Sequence, residues 1–185
     1  MTNQPQDLLP EIEDLQINYS TFWQRFFASF IDGLILIPFI VIDTFNKSTW
    51  KSLPLFLITF LIALAYKPLL EAKYKATVGK MAMKLTIVDI NFNNPSIKNI
   101  ILRNMFDIST RVIIAITTLI TFMAPEFQKI NSTAAYTSLS NAMTGATWIT
   151  LALSLLSLVD AIFLIADSRR RALHDRIGQT FVIQK

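Results

Sequence analysis

The sequence has no cysteine, which removes disulfides, thiolate metal sites and cysteine nucleophiles. It has one histidine, His174, and neither a partner nucleophile nor a set of residues at metal-ligand spacing accompanies it. Charge is also scarce: 16% of the 185 residues are Asp, Glu, Lys or Arg, where a soluble domain carries about a quarter. A secretory leader is not expected, because Asp7, Glu11, Glu13 and Asp14 stand where its basic start would be. What the chain has instead is hydrocarbon. Hydrophobic residues make up 52% and the mean hydropathy is +0.45, concentrated in runs of about 18 residues with few charges, the pattern of membrane-spanning helices.

Four spans are expected, at about residues 26–44, 53–70, 108–123 and 146–166. Tyr19, Phe22 and Trp23 form an aromatic collar before the first. Residues 1–18 read as a disordered acidic cytoplasmic segment and 19–185 as a single membrane domain. The stretch from 71 to about 107 carries too many lysines to lie in hydrocarbon. Within it Met81, Met83, Leu85 and Ile87 alternate with Ala82, Lys84, Thr86 and Val88, a strand signal. Asn93 to Ser96 reads as a turn, with Ser96 capping an amphipathic helix through Ile97, Ile100, Ile101 and Met105. The Ser/Thr/Asn/Ala-rich segment between the third and fourth spans gives no strong structural signal. Thr180 to Ile183 is short, apolar and β-prone; it is expected to pair with Leu85 to Val88 and so to bring His174, Asp175 and Arg176 near Glu71 and Lys80.

Orientation follows from the basic residues. Lys47, Lys51 and Lys129 lie on one side of the spans, and the other fourteen of the seventeen lie on or beside the opposite side. Cytoplasmic flanks carry such an excess, so both termini and the middle loop are expected in the cytoplasm and the chain in the cell membrane. The pI near 9.4 then reflects topology and anionic lipid rather than nucleic acid. The fold class is an all-α integral membrane protein, N-in and C-in, with a small cytoplasmic strand and amphipathic-helix cap.

Three stretches carry a resemblance. Phe22-Trp23-Gln24-Arg25-Phe26-Phe27-Ala28-Ser29-Phe30-Ile31-Asp32, then Thr77-Val78-Gly79-Lys80 with Leu85 to Asp89, then Arg171-Ala172-Leu173-His174-Asp175-Arg176, in this order around the spans, resemble the RDD family of membrane proteins. The match runs from Tyr19 to Ile183. The family is named for one arginine and two aspartates, which the resemblance places at Arg25, Asp32 and Asp175. Val78 stands where the family usually has the proline of Thr-Pro-Gly-Lys, and Gln179 where a glycine usually precedes Thr180. The resemblance implies a membrane protein, with transport suggested and sodium/proton antiport proposed for some members.

Read from the residues, Arg25 and Asp32 share nearly one helix face, about 10 Å apart along the axis. Asp160 lies about 9 Å in from the same side, at the level of Asp32. Thr147, Thr150, Ser154, Ser157 and Asp160 form a polar stripe expected to face protein or water. Asp32 and Asp160 are therefore candidates to line a cavity and bind a proton or small cation, unless Asp32 is tied up across helices or paired with an arginine. Arg25 is either a partner of Asp32 or Asp175 or an anchor on headgroup phosphate. His174, Asp175 and Arg176 suit structural roles, since adjacent helical residues do not face each other. A metal site from Glu71, Asp89 and His174 lacks supporting spacing, and Gly79-Lys80 lacks the rest of a phosphate loop. Pro38 is expected to kink the first span and free the carbonyl of Leu34. No cofactor and no enzyme activity are expected. Two classes of function remain: a homo-oligomeric transporter of a small cation or solute, and a non-transporting scaffold.

Overall fold

The computed structural model describes residues 17–185, so the disorder expected over 1–18 falls almost wholly outside the described residues. Among the described residues four helices are long and apolar enough to cross a bilayer. The first, α1 (Phe22–Phe45), opens on a capping box in which Thr21 accepts from the Gln24 N–H and the Gln24 side chain answers the Thr21 N–H. Pro38 lies inside α1 without ending it. A π-helical turn, Asn46–Trp50, follows. The buried Asn46 closes the link to the next span, its amide accepting from the Ser52 N–H and donating to the Ser52 carbonyl, each at 2.8 Å.

The second span, α2 (Leu53–Tyr74), ends at Lys75 in the left-handed region. A five-residue helix, α3 (Val78–Ala82), and a strand, β1 (Leu85–Asp89), follow. Met81 is therefore helical, and the period-2 pattern that began there becomes a strand only at Leu85. Thr77 explains the difference: its side chain caps α3 by accepting from the Lys80 N–H, holding the backbone in a turn before alternation takes over.

The amphipathic helix and third span expected as separate elements are one helix, α4 (Ile97–Met123). No proline or glycine lies between them, so nothing ends the helix at Met105. At about 1.5 Å per residue it runs about 40 Å, longer than the roughly 30 Å hydrocarbon core. The segment after it, which in sequence gives no strong structural signal and reads as a loop, is helical: a 3-10 turn, Pro125–Lys129, then α5 (Thr133–Thr144), capped by Ser132 and closed by Gly145 at φ +63°. Phe127 anchors this end, buried with Ala124 and Ile130 and stacked on Phe122. Lys47 sits against the rings of Phe56 and Tyr136 and pairs with Asp43 at 2.6 Å.

After Gly145 the chain turns directly into the fourth span, α6 (Ala146–Ala166), and then α7 (Leu173–Ile177) and β2 (Thr180–Gln184). The strand pairing expected from the tail is present. β1 and β2 are antiparallel with Leu85 opposite Gln184 and Ile87 opposite Val182, and Tyr19 bridges Ile183 on the outer edge of β2. Leu85, Ile87 and Val182 bury themselves against Ala28 of α1, each contributing about 1.5–3 kcal/mol by leaving water. One end of the bundle thus carries a cap drawn from three distant parts of the chain.

Gln179, between α7 and β2, sits at φ +51°. A side chain in that region costs about 1–2 kcal/mol, and glycine returns part of the gain as lost backbone entropy, about 0.5–1 kcal/mol. Gln179→Gly is therefore expected to raise the thermal unfolding midpoint in detergent, by the equivalent of roughly 0.5–1 kcal/mol. A lowered midpoint would contradict the strain argument.

Candidate functional site

Asp32 lies ten residues into α1 and is buried. Its carboxylate accepts from the Tyr66 hydroxyl at 2.8 Å, the Thr77 hydroxyl at 2.6 Å and the Gly79 N–H at 2.7 Å. All three donors are neutral, so the arginine pairing considered for Asp32 is not what holds it. Gly79 makes the arrangement possible. A Cβ there would sit 1.9 Å from the carbonyl oxygen of Ala28, so only glycine lets α3 lie directly on α1. In the Thr77-Val78-Gly79-Lys80 segment, Thr77 is the cap, Val78 the first helical residue, where proline is also well suited, and Gly79 the point of contact.

Asp175, in α7, is fully buried. It bonds Arg25 from α1 and Arg103 from α4, accepts from the Ala172 N–H at 3.2 Å, and lies 3.2 Å from His174 Nε2. Burial alone would raise its pKa, but the charges of Arg103, His174 and Arg25 outweigh it and hold the carboxyl well below the usual range. Arg25 is also spent on Ser20 Oγ and the Arg170 carbonyl, each at 2.7 Å. It is buried, which corrects its reading as a headgroup anchor.

Arg103 continues the network to Glu71 at 3.5 Å, and Glu71 binds Lys80 and accepts from Asn104 at 2.8 Å. Burial pushes the Lys80 ammonium down to about 8, against the opposing pull of Glu71. The expected approach of Asp175 to Glu71 and Lys80 is met through Arg103. Arg103 and Asn104 were missed as site residues, although they share the helix face of Ile100 at three- and four-residue spacing, where buried charge is a signal.

Arg176 is not part of this cluster. It is exposed, lies 3.4 Å from Asp167 and stacks over Phe163, because α7 turns its side chain to the opposite face from Asp175. Asp89 is also elsewhere, accepting from the backbone N–H groups of Asn91 and Asn93. Glu71, Asp89 and His174 are not assembled, and the described residues hold no cluster of three or more ligating side chains.

His174 stands between two carboxylates. Its Nδ1 is 2.8 Å from Asp160 and its Nε2 3.2 Å from Asp175, while its backbone N–H donates to Asp160 at 3.0 Å. Neighbouring residues 174 and 175 do touch, contrary to expectation, because the imidazole is long enough to fold back within so short a helix. Asp32 and Asp160 line one cavity of about 390 Å³ between α1, α2, α4 and α6, with His174, Glu71, Lys80 and Arg103 in its wall. Of the polar stripe on α6, Ser157 and Asp160 reach this cavity. Thr147, Thr150 and Ser154 are exposed. The hydroxyls of Thr150 and Ser154 bond the carbonyl one turn back, so they need no neighbouring helix.

The profile of the RDD family matches residues 19–179. The chain belongs to the RDD family. It is thus a membrane protein, and its long apolar helices are the candidate spans. No curated protein and no solved structure matches the chain. Arg25, Asp32 and Asp175, to which the resemblance assigns the family's name, have legible physical positions here. Arg25 and Asp175 are one buried ion pair tying α1 to α7, and Asp32 ties α1 to α3. All three fasten the cap to the first span.

Proposed function

We propose that the chain is a cell-membrane transporter of a small cation, exchanged for protons, with both termini and the cap in the cytoplasm. The observation that carries this reading is the Asp160–His174 pair, which is partly exposed at the wall of a cavity inside the bundle. An imidazole donates through both nitrogens only when protonated. In that form the charge of His174 faces Asp160 at 2.8 Å and Asp175 at 3.2 Å. On losing its proton it gives up that charge, and Asp160, no longer compensated, accepts a cation entering the cavity. Imidazolium and cation then compete for one carboxylate, so that proton release and cation uptake are linked, which is the elementary requirement of antiport. Asp32, saturated by three donors, is the weaker carrier of the two.

Basic residues concentrated on the cap side support the orientation. Four spans are few for a complete path across the bilayer, which favours a homo-oligomer. We propose no enzymatic role.

In sealed proteoliposomes with an interior pH dye, pulses of sodium, lithium or potassium are expected to drive proton flux. Asp160→Asn and His174→Gln should each cut it at least tenfold, and Asp32→Asn should cut it only as far as it disturbs folding. Absence of cation-dependent flux from folded, oriented protein would sink the transport reading. One observation favours the second reading, a non-transporting scaffold: Arg25, Arg103, Lys80, Glu71 and Asp175 are all closed into buried pairs, as in a fixed joint.

A further inference from the structure

The cavity lining mixes two kinds of side chain. Four cationic and four carboxylate groups reach it from α1, α2, α3, α4 and α6, and Phe26, Leu153 and Leu156 add apolar wall from α1 and α6. Phe26, Ser29 and Ser157 on its rim are exposed, so the mouth opens sideways at a depth where the neighbours are acyl chains. Water alone is a poor filling for such a space, since its column would end against hydrocarbon. The lining needs an occupant that is polar at one end and apolar at the other.

Its polar end must carry both signs. The inner pairs, Arg25 with Asp175 and Lys80 with Glu71, are tight and buried. The more accessible groups are Lys67 and Asp107, 3.6 Å apart with side chains 37% and 31% exposed, Asp107 also accepting from Arg111 at 3.0 Å, and Asp160 at 27%, which His174 holds at 2.8 Å. A guest of one charge would draw Lys67 or Asp107 out of their loose pair and leave the other less compensated in a low-dielectric wall. The volume, about 390 Å³, falls within the roughly 300–1,000 Å³ of ligand sites and equals about a dozen waters at ~30 Å³ each. That suits a headgroup and the start of one chain.

We infer that the cavity holds a zwitterionic phospholipid, its phosphate on Lys67, its ammonium on Asp107, and one acyl chain leaving between α1 and α6. The lipid closes the open side of the chamber. This inference rests on the cavity itself and stands whether or not cations move through it.

The test is native mass spectrometry of the full chain in detergent, offered phosphatidylethanolamine, phosphatidylglycerol or water-soluble glycerophosphoethanolamine. One phosphatidylethanolamine per chain is expected to be retained, with phosphatidylglycerol at least tenfold weaker. Lys67→Met and Ser157→Trp, the latter filling the mouth, should each lower retention about tenfold at an unchanged thermal midpoint. Equal retention of both lipids, indifferent to the two variants, means surface lipid only and overturns the inference. Binding of glycerophosphoethanolamine as tight as that of the lipid overturns the lipid source in favour of a free zwitterion. In a chain with no other thiol, rapid disulfide dimerisation of Ser157→Cys in liposomes would show a second copy at the mouth, which also overturns it. No retention by the unmodified chain overturns this inference and leaves the flux result untouched; flux absent with lipid retained counts against transport alone.

Discussion

Asp175→Asn is expected to detach the cap from the bundle and to cost about 3–5 kcal/mol, the usual penalty for breaking a buried ion pair by removing one partner. Asparagine keeps the shape and loses the charge, leaving Arg25 and Arg103 facing each other at a site with no exposure to water. Arg103 retains Glu71 at 3.5 Å, and Arg25 keeps only neutral acceptors. The measurement is the thermal midpoint in detergent together with protease susceptibility of the 171–185 tail. An Asp175→Asn midpoint within a degree of the parent would show that the pair contributes nothing net. The sign of the acid dependence follows from the same site. The folded-state pKa of Asp175 is depressed below its ordinary 3.8, so its contribution is complete above about pH 4. It is lost progressively as pH falls below that value toward the depressed one. The parent should therefore lose stability more steeply than Asp175→Asn between pH 4 and 3.

Gly79→Ala is expected to be the most damaging single methyl group that can be added to the chain. Overpacking usually costs about 1–3 kcal/mol because side chains rotate or shift to admit the new atoms. Here the new Cβ would lie 1.9 Å from the Ala28 oxygen and 2.8 Å from its carbonyl carbon, backbone atoms that cannot rotate away. Relief requires lifting α3 off α1, which breaks the Gly79 N–H bond to Asp32 and weakens that of Thr77. The expected cost exceeds the usual range, and little folded protein should be recovered on size exclusion. Gly33→Ala is the control, since a Cβ there meets nothing within 4 Å and alanine gains about 1 kcal/mol of helix propensity. Equal yields from the two variants would refute the contact argument.

The parts of the fold legible in the sequence were those with a periodic or compositional signature. Uncharged runs located the spans, and Thr180 to Ile183 found Leu85 to Val88 because no other segment was as short, apolar and β-prone. Helix α5 was hidden because Thr133 to Thr144 has little apolar periodicity; its order comes from caps at Ser132 and Gly145 and from Tyr136 packing on Phe127. Those caps were present as residues, yet a cap without a stripe is a weak signal. At the site, Arg25, Asp32, Asp160 and His174 were recognisable as charge inside or beside apolar helices. Arg103 was not, since a basic residue in a lysine-rich loop region reads as an orientation signal. Its role depends on α4 continuing unbroken and presenting Ile100, Arg103 and Asn104 together to the cap. Asp32 illustrates the opposite error: its position was plain, but its donors Tyr66, Thr77 and Gly79 come from elements whose approach is fixed only by the missing Cβ at residue 79.

The cap also sets a schedule for biogenesis. Ser20 bonds the carbonyl of Val182 across 162 residues, and the carboxylate that neutralises Arg25 and Arg103 lies at position 175. While the ribosome is still adding the fourth span, two arginines and an unpaired β1 edge are already made and have no partners. Contacts so distant in sequence form slowly, and chains waiting with exposed edges are the ones that aggregate or recruit chaperones. Insertion of the spans and closure of the cap are thus separate events, and a ribosome stalled short of residue 175 would leave a chain that is threaded through the bilayer and still unfinished.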